Sequence, residues 1–171
     1  MFSSEQLLNL LKEKKYEFKK NDHEPLFTVD DSNKLRGNIK GCHSKNLFLK
    51  NKKNKFFLIS CKEYDHIDLK TISKSLNLGN LSFAREDHLL EFLGVKPGSV
   101  SPYALLNDKK NIVDFFLEKK LHDCEYLNFH PLINTSTITI NTSNFIYFMI
   151  ENKKKIHIFS SEEGVILKTY E

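Results

Sequence analysis

Long apolar runs are missing from this chain. No stretch of its 171 residues approaches the ~20 apolar positions that a bilayer span requires, so no membrane partner is expected. The opening segment, MFSSEQLLNLLKEKKYEF, is amphipathic rather than a basic stretch followed by an apolar one. No secretory signal is expected, and a cytoplasmic protein is. Cysteine is scarce and odd in number, at Cys42, Cys61 and Cys124, with no CxxC pair. That pattern argues against a disulfide framework and a structural zinc site, and it predicts reduced thiols. Arginine is confined to Arg36 and Arg85, so the net charge of +4 rests on lysine. So mild an excess permits a nucleic-acid partner without demanding one. No internal repeat and no dividing linker is present. Residues 1–171 are expected to form one domain, burying roughly two-thirds of the unfolded chain's surface.

What is there reads as helices and strands interspersed. Ser3 and Gln6 have the spacing of a capping box, and Leu7, Leu8, Leu10 and Leu11 follow, predicting a helix of about 12 residues. Residues 16–20 and 26–29 read as extended, and 30–37 as a short helix. Lys45 to Lys50 reads as a strand with Lys45, Leu47 and Leu49 on one face and Asn46, Phe48 and Lys50 on the other. A polar turn at 51–54 and a return strand from Phe56 to Cys61 complete a hairpin. Asp68 caps a helix reaching Leu76, and Glu86 to Leu93 forms another that Gly94 stops. Leu81 to Ala84, Tyr103 to Leu106, Ile112 to Leu117, Tyr126 to Phe129, Ser136 to Ile140 and Ile156 to Phe159 are predicted strands. Asn141 or Ser143 caps a helix carrying Phe145, Phe148 and Met149. The tail after Ser160 has no assignment. Strict βαβ alternation is absent and several links are of hairpin length. The expected fold is therefore α+β, a mixed, mostly antiparallel sheet curled toward a partial barrel with flanking helices.

Four segments stand out, in order along residues 23 to about 150. They are the pattern HEP…FTV from His23 to Val29, the strand Lys45-Asn46-Leu47-Phe48-Leu49-Lys50, the run from Phe83 through Gly94-Val95-Lys96-Pro97-Gly98-Ser99-Val100, and the turn Asn128-Phe129-His130-Pro131. Together they resemble the YbaK-type aminoacyl-tRNA editing domains, in particular the free-standing kind related to the insertion domain of bacterial prolyl-tRNA synthetase. The resemblance implies hydrolysis of the ester between a wrong amino acid and the 3′-terminal ribose of a tRNA. Alanine on proline tRNA is the implied substrate, with prolyl-tRNA synthetase a further partner. Deacylation of cysteinyl- or seryl-tRNA, and a non-catalytic module that binds tRNA or a synthetase, stay open as alternatives. No cofactor and no metal are implied.

Lys45 matches the family's essential lysine, and its place beside two leucines on one strand face directs its stem toward a pocket. Its ammonium would hold phosphate or ribose oxygens as a point charge. Gly98, Ser99, Val100 and Pro102 form the family's GxxxP loop, in which prolines fix the chain and glycine lets backbone N–H groups approach a carbonyl. The resemblance places His130 beside the aminoacyl group, shaping the pocket and hydrogen-bonding the substrate. Asn46 faces away from Lys45 in a regular strand and ranks below it as a substrate contact. Leu35, Val100 and Ile133 are the expected apolar walls, and Lys50, Lys52 and Lys53 the expected contacts to acceptor-stem phosphates. Cys42 and His43, being adjacent in a strand, point apart and make a poor nucleophile–base pair. His122, Cys124 and His130 do not have a recognised metal-ligand spacing.

An aminoacyl ester is already activated. The resemblance implies that water attacks it with help from the substrate's own ribose hydroxyl, positioning and oxyanion stabilisation supplying most of the rate. Proline would be refused by a pocket sized for alanine.

Overall fold

A computed structural model of the protein describes residues 1–25, 30 and 39–171. The chain begins as read. Helix α1 (Ser4–Glu13) has a full capping box, Ser3 accepting from the Gln6 amide while Gln6 reaches back to Ser3, and it buries Leu7 and Leu11. Strand β1 (Phe18–Asp22) follows. The predicted strand at 26–29, nearly all of the predicted helix at 30–37, and Leu35 lie outside the described residues. The hairpin of β2 (Cys42–Lys50) and β3 (Phe56–Lys62) turns at a buried asparagine, Asn51, whose side-chain oxygen accepts from the Lys53 and Lys55 amides. Asp68 caps α2 (Leu69–Ser75) through the Lys70 and Thr71 amides. The Thr71 hydroxyl and these amides hold its carboxyl below the usual aspartate range.

A short strand, β4 (Ser82–Phe83), leads to α3 (Glu86–His88), which runs into a wider π-helical turn over Leu89–Leu93 and ends at Gly94 with φ +64°. Segment 103–106 corrects an expected strand: Pro102–Asn107 is a 3-10 helix, with every residue from Pro102 to Leu106 buried. A short apolar run has no period that separates strand from buried helix, and Pro102 at its first turn favours the helix. Then come β5 (Val113–Glu118), the single turn α4 (Lys119–His122), β6 (Tyr126–Phe129), β7 (Ser136–Asn141), α5 (Thr142–Glu151) capped by Asn141, β8 (Ile156–Ser160) and β9 (Val165–Tyr170). The tail thus completes a hairpin with β8.

The strands form one mixed sheet in the order β1-β7-β6-β2-β3-β5-β8-β9, with β4 attached to β2. Pairings β2–β6, β3–β5 and β5–β8 are parallel and the others antiparallel. Among the described residues the sheet is not closed into a barrel. One face buries the main core, in which Phe48, Leu58, Phe115, Leu127, Phe129 and Ile138 meet α1, α5 and the 3-10 helix. The other face is apolar beneath α2, where Leu49, Phe57, Ile59, Phe116 and Phe159 pack on Ile72. Over β6 and β7 that same face turns polar, with Asn128 accepting from Thr139 at 2.6 Å. Among the described residues, no helix is long and apolar enough to cross a membrane.

Tyr103 is the hub of the main core. Phe129, Phe145 and Phe148 meet its ring edge-on at 5.8 to 6.0 Å, and it is fully buried. Its hydroxyl has no hydrogen-bond partner among the described residues, and burial pushes its pKa up. A desolvated, unpaired hydroxyl costs stability, so Tyr103→Phe is expected to stabilise the fold by about 1 kcal/mol. Thermal denaturation should show a midpoint higher by roughly 2–4 °C.

Candidate functional site

The strand that carries Lys45 and Asn46 splits them as its period demands. Lys45 pairs with Cys61 across the hairpin and Asn46 with Ser60. The lysine ammonium donates to the Asp65 carbonyl on the chain between β3 and α2. Asn46 points to the opposite face. Its side-chain oxygen accepts from Ser60 Oγ at 2.6 Å and its Nδ2 donates to the Val100 carbonyl at 3.0 Å. The amide therefore clamps the 98–102 loop onto β2.

That loop is held from inside as well. Gly98 takes φ +86°, a conformation that favours glycine, and the Ser99 amide turns back to the Lys96 carbonyl at 3.0 Å. Ser99, Ser101 and Pro102 are buried, and Val100 is half-buried against the main core. The Ser101 hydroxyl has no hydrogen-bond partner among the described residues.

His130 follows β6. Its Nδ1 lies 2.8 Å from the Ser136 carbonyl, an acceptor only, so Nδ1 has the proton and Nε2 is the basic nitrogen of the neutral ring. The His23 ring stands 5.9 Å away, centroid to centroid. His23 is fixed likewise, with Nδ1 donating to the Glu24 carbonyl and Nε2 accepting from Thr137. Strands β2 and β6 run parallel, with Cys42 opposite Leu127 and His43 opposite Asn128. Lys45 follows two residues after this last pair on β2, and His130 two residues after it on the other chain segment, just past the end of β6. Beside β1, β6 and β7 opens a groove of about 780 Å³ lined by Lys19, Asn21, Lys40, Tyr126, Thr139 and Asn141, among others.

The remaining sequence-derived residues are more scattered. Ile133 sits in the β6–β7 link and is 38% exposed. Lys50 is half-buried opposite Ser82, while Lys52 and Lys53 are exposed at the hairpin tip. The tip is seven residues beyond Lys45, on the order of 20 Å along a strand. Among the described residues, no three His, Cys, Asp or Glu side chains gather as a metal-holding group. Sequence reading passed over His23 as a site residue, although it opens the HEP pattern, and over Ser60, whose part depends on the hairpin register.

One expectation is overturned. Cys42 and Cys124 are not reduced thiols but are joined by a disulfide, with Cα atoms 6.2 Å apart across 82 residues of sequence. Sparse spacing gives no hint of that pairing, because the two sulfurs meet only once β2 lies alongside β6. Cys61 is free and buried, and burial pushes its thiol up to about 12.

Comparison with known proteins gives a consistent result. The model of the aminoacyl-tRNA editing domain matches residues 23–148. Prolyl-tRNA synthetase associated domain-containing protein 1 of Xenopus laevis is 37% identical over 133 residues, covering 75% of this chain and 79% of that protein. The prolyl-tRNA editing protein ProX of Acetoanaerobium sticklandii is 31% identical over 121 residues, covering 70% of this chain and 74% of that protein. A solved structure of a candidate trans-editing enzyme for prolyl-tRNA synthetase shares the fold with a TM-score of 0.66 at 14% identity, covering 91% of this chain and 96% of that one. The family model spans more than half of the residues, so the chain belongs to the aminoacyl-tRNA editing domain family.

Proposed function

We propose that the protein is a trans-editing deacylase that hydrolyses the ester of mischarged proline tRNA, with alanyl-tRNA(Pro) as its substrate. The observation that supports this reading is the parallel pairing of β2 with β6, whose last pair, His43–Asn128, lies two residues before Lys45 on one strand and two before His130 on the other. Lys45 holds the 3′-terminal phosphate or ribose oxygens as a point charge, exchanging its Asp65 carbonyl for the ligand. Polarising the ester carbonyl falls to the Gly98 and Val100 amides, because the Ser99 amide is already bonded to Lys96. His130 shapes the pocket beside the aminoacyl group and hydrogen-bonds the substrate. Water adds to the carbonyl carbon, the bond to the ribose oxygen breaks, and that oxygen takes the proton. Val100 and Ile133, with Leu35, are the proposed walls that refuse a pyrrolidine ring. Lys50, Lys52 and Lys53 meet acceptor-stem phosphates.

Asn46 acts in this scheme as a positioning residue. Asn46→Ala leaves the Val100 carbonyl and the Ser60 hydroxyl without their partner, so kcat should fall about tenfold with KM little changed. Because Ser60 reaches the loop only through Asn46, Ser60→Ala should add nothing in the Asn46→Ala background. Single-turnover kinetics on the two single variants and the double variant check this.

The overall reading is tested by incubating the purified protein with alanyl-, prolyl-, cysteinyl- and seryl-tRNA. Release of alanine alone is the expected result. Release of cysteine or serine instead would move the substrate assignment, and no release from any of them would leave a binding module.

A further inference from the structure

The sheet consists of two parts joined at β2–β6. Along the main path of the sheet this ladder is the shortest among the described residues, with only the pairs Cys42–Leu127 and His43–Asn128. On one side of it lie β1, β7 and β6, and on the other β2, β3, β5, β8 and β9. The Cys42–Cys124 bridge crosses this narrow junction, from the first residue of β2 to the chain two residues before β6. Lys45 and His130 stand on opposite sides of the same junction.

The surroundings are built for close approach. Gly41 takes φ +96°, and a Cβ there would lie 2.8 Å from the Tyr126 carbonyl oxygen and 2.9 Å from its Cβ. Asn128 Nδ2 donates to the Lys40 carbonyl at 2.8 Å, and Ser44 Oγ to the Asn128 carbonyl at 3.0 Å. Both bridged cysteines are half-buried rather than sealed. The third cysteine, Cys61, is fully buried and its thiol stays protonated at neutral pH, so it does not compete in exchange.

We infer that Cys42–Cys124 is a reversible redox site, exchanged by a dithiol reductant, that fixes the junction on which the catalytic face depends. Its effect on activity rests on the editing function proposed above; its effect on the junction does not. In reduction a thiolate of the dithiol attacks one protein sulfur. The other sulfur leaves as a thiolate and takes a proton. The reductant's second thiol then resolves the mixed disulfide, giving two protein thiols and one oxidised reductant. Formation of the bridge runs the same exchange backwards with a disulfide oxidant. The closed form holds β2 against β6; the open form leaves two backbone pairs and the neighbouring side-chain bonds to do so.

The test compares the full-length protein oxidised with glutathione disulfide and reduced with dithiothreitol, the state being read by thiol alkylation and mass. Amide hydrogen exchange is followed in peptides covering residues 40–46 and 124–130, and deacylation of alanyl-tRNA(Pro) is measured in parallel. Reduction should expose two alkylatable thiols, speed exchange in both peptides about tenfold and lower kcat/KM about tenfold. The Cys42→Ser/Cys124→Ser variant should match the reduced protein and ignore dithiothreitol. Should that variant fail to fold, the two redox states of the unaltered protein still decide the matter. Failure of the bridge to form, or equal exchange and equal rates in the two states, overturns the inference. Redox-dependent exchange in a protein that deacylates nothing would support the latch and sink the editing function instead.

Discussion

Lys45→Ala is expected to lower kcat/KM for alanyl-tRNA(Pro) by about 100-fold without unfolding the protein. The side chain is half-buried and its ammonium bonds the backbone carbonyl of Asp65, which water can satisfy once the lysine is gone. In the proposed role, what disappears is a positive charge that holds the oxygens of the tRNA 3′ end. Hydrogen bonds to charged groups are worth about 1.5–3 kcal/mol, and each 1.36 kcal/mol of transition-state stabilisation is worth tenfold in rate. The upper end of that range gives the predicted loss. Lys45→Arg should recover little of it, because a planar fork on a longer stem does not replace a compact ammonium. Single-turnover deacylation beside a thermal melt separates loss of chemistry from loss of fold. A variant as fast as the parent would remove the lysine from the mechanism.

Phe129→Ala is expected to have the largest effect on stability. Phe129 is 2% exposed and packs on Phe145 at 4.9 Å and edge-on to Tyr103 at 6.0 Å. Truncating a buried phenylalanine costs about 3–5 kcal/mol, through lost transfer energy and the cavity left behind. In a chain of this size the melting midpoint should drop on the order of 10 °C. The same ring precedes His130 and touches the 3-10 helix that continues the 98–102 loop, so two parts of the candidate site lean on it. Activity measured well below the new midpoint should therefore also fall. Phe129→Leu, which refills most of the volume, should restore the larger share of both. Calorimetry and deacylation on the pair of variants check the prediction.

Local signals in the sequence reached a good part of this structure. The Ser3–Gln6 box, the Asp68 cap and the Asn141 cap each act through bonds closed within a few residues, so spacing alone reveals them. The β2–β3 hairpin was legible because a polar turn separates two apolar runs, and the period of two put Lys45 and Asn46 on opposite faces. Features that depend on distant partners were not legible. The disulfide needs β2 and β6 side by side, although the cysteines are 82 residues apart. The 3-10 helix at Pro102–Asn107 was read as a strand because its buried residues have no period. Strand β9, whose first four residues are exposed, lacks the apolar–polar alternation that marks a half-buried strand. In the candidate site, residue types were readable and bonding was not. Asn46 was read as a substrate contact, whereas both ends of its amide are engaged by Ser60 and Val100.

The central claim is that substrate binds at the β2–β6 junction, between Lys45 and His130 and the Gly98–Pro102 loop that Asn46 clamps against β2. The most direct measurement is a crystal structure with a non-hydrolysable 3′-alanylamino analogue of the terminal adenosine. The account predicts phosphate or ribose oxygens within hydrogen-bond distance of Lys45 Nζ, the amide carbonyl facing the Gly98 and Val100 N–H groups, and the alanyl group beside His130. An analogue seated elsewhere, with Lys45 still bonded to the Asp65 carbonyl, would contradict it.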